Sequence, residues 1–170
     1  SCAYHLAQMG WKDIVVVDKG DLPENDGSTS HAPGGVVALS HSKLMTQLAQ
    51  YGTKLYREIK PLQTERNTYN AVGGLDVAMG EDKWLDLVRL EGKAKAWHVD
   101  AHLLGPAETK AKIPLLNEKM IRGSIFVPSS ALVAPWHASG AMLRDAEEMG
   151  VQCLPNTPVT DIEVKDGRIV

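Results

Sequence analysis

CAYHLAQMGWKDIVVVDKG, residues 2–20, is the stretch whose reading decides the fold. Ala3, Leu6 and Ala7 fall at helical spacing, and Gly10 follows where a helix ends in a left-handed residue. One short turn later comes Ile14-Val15-Val16-Val17, a continuous β-branched run that suits a strand buried on both faces of a parallel sheet. Helix, glycine turn and buried strand make the second half of a βαβ unit.

Working outward, Leu44 to Ile59 places apolar residues at 44, 45, 48, 52, 55, 56 and 59 on one helical face, with Pro61 ending it. After Gly73-Gly74, the alternation of Leu75, Val77 and Met79 with Asp76 and Ala78 predicts a half-buried strand. Trp84 to Trp97 reads as an amphipathic helix. Pro106 opens a short helix in GPAETKAKI, and Ile121, Gly123, Ile125 and Val127 alternate as a further strand. APWHASGAMLRDAEEMG is a helix punctuated by Pro135 at its start and Gly150 past its end. Asp166-Gly167 signals a terminal hairpin. Both ends are α/β, whereas residues 62–133 lack βαβ rhythm. The expected organisation is a first domain part over 1–61, an inserted part over 62–133, and a return to the first domain over 134–170.

Composition narrows the function. At 170 residues, 44% of them apolar and 23% charged, the chain has the make-up of an ordinary globular protein. Its 18 basic and 21 acidic side chains leave a formal charge of −3 with no basic stripe, which argues against nucleic acid and anionic membranes as partners. No apolar run approaches the roughly 20 residues a membrane-spanning helix needs. Cys2 and Cys153 form no CxxC and have no histidine at zinc-ligand spacing, so they read as free or buried thiols of a reducing compartment, and no metal site is expected. The chain starts with Ser1 directly in helical sequence, without the basic and apolar regions of a signal peptide, and reads as a piece of a longer protein.

Two places could carry chemistry. Asp18 stands at the tip of the valine strand, where a dinucleotide-binding βαβ unit has an acidic residue that accepts ribose hydroxyls. It could equally well only begin a turn. The GxGxxG loop that would decide belongs upstream of Ser1. The second place is GSTSHAPGG, residues 27–35, in which Gly27, Gly34 and Gly35 allow close backbone approach and Ser28, Thr29 and Ser30 offer hydroxyls around His31. Such a loop could cradle a pyrophosphate or a flavin edge, although a lone loop histidine is more often a surface residue or a satisfied hydrogen-bond partner. His98 and His102 are four apart in loop-like sequence and read as solvated, not as metal ligands. Trp84, Trp97 and Trp136 read as helix-face packing. His5, His41 and His137 have no partner by spacing.

IVVVDKGDLPENDGSTSHAPGG resembles the FAD-binding region of the dimethylglycine oxidase, dimethylglycine dehydrogenase and sarcosine dehydrogenase family, within the D-amino acid oxidase-like superfamily. AVGGLDVAMGEDKWLDL, LLGPAETKAKIPLLNEKMIRGSIFVPS and NTPVTDIEVKDGRIV are similar, in order, to later segments of that family, so the likeness covers nearly the whole chain. The resemblance implies an α/β fold: a partial FAD-binding Rossmann-like domain, its first strand and GxGxxG absent, with part of a mixed-sheet substrate domain inserted. It places Asp18 and Lys19 at the adenosine ribose and Val159 on the strand whose backbone meets the adenine. Ser28, Thr29, Ser30 and His31 fall in the flavin loop, with His31 as the covalent tether to the flavin 8α carbon. Ser130 and Ala131 depart from the Asp-Gly pair common in the family, which puts that local turn in question.

By the same resemblance, the parent enzyme oxidises an N-methyl amine such as dimethylglycine or sarcosine by hydride transfer to flavin. The resulting iminium hydrolyses to formaldehyde, and oxygen or an electron-transfer protein reoxidises the flavin. Its substrate-side catalytic residues are expected beyond Val170, and its location is the cytoplasm, or the mitochondrial matrix in a eukaryote. The alternatives are a non-catalytic nucleotide-binding or structural module, and a related flavin oxidase with dissociable FAD.

Overall fold

The computed structural model describes residues 1–22, 27–59 and 68–169. The chain divides into two compact units, one containing Ser1–Pro33 and Ala134–Val170, the other Gly34–Glu58 and Arg66–Val133. The units divide at 133/134, and residues 34–58 group with residues 68–133 and not with residues 1–33. The reason is pairing: β2 (Gly35–Val36) forms its ladder with β7 (Ala131–Val133), and that sheet belongs to the second unit. The predicted boundary at 61/62 and the helix-ending Pro61 lie outside the described residues.

In the first unit, α1 (Cys2–Gln8) ends at Met9, and Gly10 takes φ +86°, as the turn requires. β1 (Val15–Val17) then pairs in parallel with β8 (Gln152–Leu154), Val16 opposite Cys153. Between Pro135 and Glu148 runs the helix α5, with Pro135 in its first turn and Gly150 at φ +95° beyond its end. Its Ala138, Ala141, Met142 and Ala146 are buried, and it packs against α1, whose Tyr4 is also buried. The parallel β1–β8 pairing is the kind of sheet that the valine run predicted, and α5 precedes β8 as α1 precedes β1. One expectation fails: β1 is not buried on both faces. Val15 and Val17 are 52% and 39% exposed, while Val16 turns toward Tyr4, Met142 and Ala146. Side chains alternate along a strand, and α1 and α5 cover only one of the two faces. The tail forms the hairpin of β9 (Val164–Lys165) and β10 (Arg168–Ile169), with Asp166 and Gly167 both at positive φ.

The second unit holds two antiparallel sheets, ordered β2-β7-β3 and β4-β6-β5, where β3 is Tyr69–Asn70, β4 is Gly74–Ala78, β5 is His102–Leu104 and β6 is Gly123–Val127. The inserted part was expected to be mixed, and its described strands pair antiparallel. β6 is central in its sheet and buried on both sides. Ile125 and Val127 join Leu87, Leu90 and Ala94 of α3 (Glu81–Ala96) in one hydrophobic cluster. On the opposite side Ser124 meets Thr109 of α4 (Pro106–Lys112), hydroxyl to hydroxyl at 2.8 Å, and Lys112 Nζ lies 3.7 Å from the Phe126 ring centroid. Trp84 and Trp97 pack against the α3 cluster as expected, whereas Trp136 on α5 is largely exposed. Met79 lies past the end of β4 and is exposed.

Helix α2 (Lys43–Glu58) forms where predicted, and of its predicted face Leu55 and the following Ile59 are buried while the first turns are not. Thr46, Thr53 and Leu55 are buried, and Leu44, Met45, Leu48 and Tyr51 face outward. The threonines tolerate burial because their hydroxyls are satisfied locally, Thr46 by the Ser40 backbone and Thr53 by the Ala49 carbonyl. The Ser130–Ala131 departure does not prevent the turn. Ser130 N–H donates to the Val127 carbonyl, its buried hydroxyl accepts the Ala38 N–H at 3.1 Å, and Ala131 enters β7.

Candidate functional site

The tip of β1 is where the predicted residues meet. The parallel ladder continues past the strand as Asp18 N–H donates to the Leu154 carbonyl at 3.2 Å. Residues 155 and 156 then turn, Asn156 at φ +52°, and pairing resumes as Thr157 N–H donates to the Asp18 carbonyl at 2.7 Å. This detour carries residues 157–159 across the end of β1. Val17, Asp18, Lys19, Gly20, Gly27, Thr157 and Val159 thereby line one open cleft of about 410 Å³. That volume lies in the range of small-molecule and cofactor sites.

Asp18 closes the turn that one of its two readings expects. Its Oδ1 accepts the Gly20 N–H at 2.8 Å, closing an Asx turn, Oδ2 takes no hydrogen bond among the described residues, and the residue lines the cleft. The carboxylate is half-buried and the neighbouring Lys19 is exposed. Asp18, Lys19 and Val159 are therefore brought together although 140 positions separate Lys19 from Val159.

The loop of residues 27–33 starts at the cleft through Gly27 and folds back on itself. Ser30 Oγ donates to the Gly27 carbonyl at 2.7 Å, and Ala32 N–H donates to the Thr29 carbonyl. His31 is exposed, with Nδ1 at 3.0 Å from Ser30 Oγ and 3.1 Å from the Gly27 carbonyl. A carbonyl only accepts, so the Gly27 contact is a hydrogen bond when Nδ1 carries a proton. Ser28 and Thr29 are exposed and Ser30 is half-buried. None of the four residues from Ser28 to His31 lines the cleft itself.

The sequence reading missed Gly20, Thr157 and Asn156. Their signals were an Asp-x-Gly turn and a Pro-Asn turn beside Val159. It also missed a cavity of about 480 Å³ in the second unit, walled by Val36, Leu39, Leu75, Ile125 and Leu132. Two Gly-Gly pairs, 34–35 and 73–74, run beside it and were its signal. Its titratable lining residue is Asp76, whose carboxylate is held 2.7 Å from Lys83 Nζ and in turn keeps that ammonium's pKa above its ordinary value. The cavity therefore offers apolar packing more than acid–base chemistry.

Of the remaining histidines, His102 lies in β5 with Nε2 2.9 Å from Asp100 Oδ1, and His98 follows α3 at φ +58°. The two share no helical face, and among the described residues no cluster of three metal-ligating side chains occurs. His41 Nε2 lies 3.3 Å from Asp86 Oδ2, a pairing between distant segments that spacing could not reveal.

The sequence profile of the FAD dependent oxidoreductase family matches residues 1–170. The chain belongs to that family. Relatives include the mitochondrial sarcosine dehydrogenase of Homo sapiens, 30% identical over 162 residues, covering 95% of this chain and 17% of that protein. The mitochondrial pyruvate dehydrogenase phosphatase regulatory subunit of Mus musculus is 29% identical over 169 residues, covering 99% and 19%. The family resemblance drawn from the flavin loop thus holds. Among solved structures, L-proline dehydrogenase from P. horikoshii superposes with a TM-score of 0.87 at 20% identity, covering 98% of this chain and 43% of that one. This likeness bears out the α/β flavoprotein fold. The chain spans about a fifth of the length of these curated relatives.

The cleft fits the adenosine half of FAD. It has a carboxylate acceptor at a strand tip, an adjacent ammonium and the flanking apolar Val17 and Val159, which match what a ribose and an adenine require.

Proposed function

We propose that this chain is the part of an N-methyl amine oxidoreductase that holds the adenosine end and the flavin edge of FAD, the flavin being joined to His31. The observation that carries the reading is the convergence of Asp18, Lys19 and Val159 on one cleft from which the His31 loop departs. The Asp18 carboxylate accepts ribose hydroxyls, Lys19 supplies a positive charge beside them, and the backbone around Val159 meets the adenine. Ser28, Thr29 and Ser30 offer the flavin loop its hydroxyls. Ser30 and the Gly27 carbonyl orient the His31 ring through Nδ1, and the ring is the nucleophile toward the 8α carbon. When bound, FAD supplies the hydride acceptor for an amine of the dimethylglycine or sarcosine type. The first unit is then the cofactor part and the second the beginning of the substrate part. The electron acceptor is oxygen or an electron-transfer protein. The location is the cytoplasm or, as the names of the mitochondrial relatives favour, the mitochondrial matrix.

Acid precipitation of the full-length protein tests the tether. The pellet is expected to stay yellow, and His31→Ala to release the colour to the supernatant. Flavin freed from the unmodified protein refutes covalent attachment. A second reading, a nucleotide-binding module without turnover, is favoured by the regulatory-subunit relative. Flavin binding without oxidation of sarcosine or dimethylglycine would select it.

A further inference from the structure

Asn156 adds a side-chain tie to the backbone bonds that join the two walls of the cleft. One wall is the β1 tip, residues 18–21, and the other is the return segment that carries Thr157 and Val159. Asn156 N–H donates to the Gly20 carbonyl at 3.0 Å, and its side-chain Nδ2 donates to Asp21 Oδ1 at 2.8 Å, a contact 135 positions apart in sequence. Its φ of +52° lies in the left-handed region, which asparagine enters more readily than most residues. That conformation makes the two-residue detour possible, so that Thr157 N–H reaches the Asp18 carbonyl and Val159 comes to face Asp18. The other groups here do not substitute for it. Oδ1 of Asp18 is spent on Gly20 N–H, and the Thr157 hydroxyl donates to the Pro155 carbonyl within its own segment. Asn156 alone sends a side-chain bond from one wall to the other among the described residues that line or border the cleft.

We infer that Asn156 is a positioning residue for the nucleotide end of the cofactor, acting through Asp21 and Gly20 to hold the ribose-binding carboxylate and the adenine-facing backbone at a fixed separation. The inference rests on the reading of this cleft as the adenosine site. It does not require Asn156 to touch the cofactor. A loosened clamp leaves the two walls joined by backbone bonds alone, so the nucleotide must order them further when it binds.

The test uses the full-length protein in a His31→Ala background, which keeps flavin exchange reversible, and measures FAD affinity by fluorescence titration of the apoprotein. Asn156→Asp sets a carboxylate against Asp21 and is expected to weaken FAD binding roughly tenfold or more. Asn156→Gly keeps the left-handed turn, loses only the side-chain bond, and is expected to weaken it less. The decisive variant is the exchange Asn156→Asp with Asp21→Asn, which restores the bond with donor and acceptor reversed and is expected to recover most of the affinity. Thermal unfolding of each apoprotein accompanies the titration, because a merely structural role would lower the melting temperature without a rescue specific to the exchanged pair. An Asn156→Asp protein that binds FAD as its parent does, or an exchanged pair no better than Asn156→Asp alone, overturns the role of Asn156. A parent protein that binds no FAD overturns the cleft reading itself, and this inference with it.

Discussion

Replacing Asp18 by asparagine separates the turn it closes from the ribose contact proposed for it. The carboxylate has one oxygen on the Gly20 N–H at 2.8 Å, the other takes no hydrogen bond among the described residues, and the residue lines the cleft. An asparagine carbonyl can keep the Gly20 bond, so the turn survives and folding stability should change by less than about 0.5 kcal/mol, as for surface substitutions that spare such features. What the amide cannot keep is a second acceptor oxygen and the negative charge. A hydrogen bond to a charged group contributes about 1.5–3 kcal/mol, and with roughly 1.4 kcal/mol per factor of ten this is an affinity loss of about 10- to 150-fold for FAD. Asp18→Ala should lose the same affinity and, in addition, about 1 kcal/mol of stability with the turn bond. Fluorescence titration with FAD in the His31→Ala background measures the first quantity and denaturant unfolding the second. If the Asp18→Asn protein binds FAD within about twofold of its parent, Asp18 only builds a turn, and the ribose assignment is wrong.

Three further outcomes probe the rest of the structure. Leu87 is fully buried in the α3 cluster, and Leu87→Ala should destabilise the second unit by about 2–5 kcal/mol in denaturant unfolding. Thr109→Val strands the buried Ser124 hydroxyl and should cost about 1–3 kcal/mol, much of it recovered when Ser124→Ala is added. Burial and then Glu147 push the Cys153 thiol above its ordinary pKa, so less of it is thiolate at any given pH, and at pH 8 (roughly half a unit below a free cysteine's pKa) iodoacetamide should label the exposed Cys2 before Cys153.

Much of the architecture was legible in order. Helix starts at Pro106 and Pro135, the left-handed stop at Gly10 and the Asp166-Gly167 hairpin are local: each depends on backbone preferences of one or two residues, and each forms where expected. The side each element turns inward was less legible. The α2 face of Leu44, Met45 and Leu48 points outward, and β1 exposes Val15 and Val17, because an apolar stripe identifies a surface able to be buried without identifying what covers it. The grouping of residues 34–58 with the second unit followed from a strand pairing between Gly35 and Leu132, which leaves no trace in either segment alone.

The same division runs through the candidate site. Sequence by itself determined that an acidic residue ends a valine strand, that a small-residue loop carries His31, and that both match one flavoprotein family; these are properties of contiguous stretches. Tertiary structure alone decided that Thr157 and Val159 stand opposite Asp18, that Asn156 reaches Asp21, and that the His31 ring is turned back onto Gly27 and Ser30. The first two depend on a parallel β1–β8 ladder closed across more than a hundred intervening residues, and the third on which way a loop folds. Local propensity encodes the shape of each segment, but the pairing of distant backbone donors and acceptors sets which segments share a cleft.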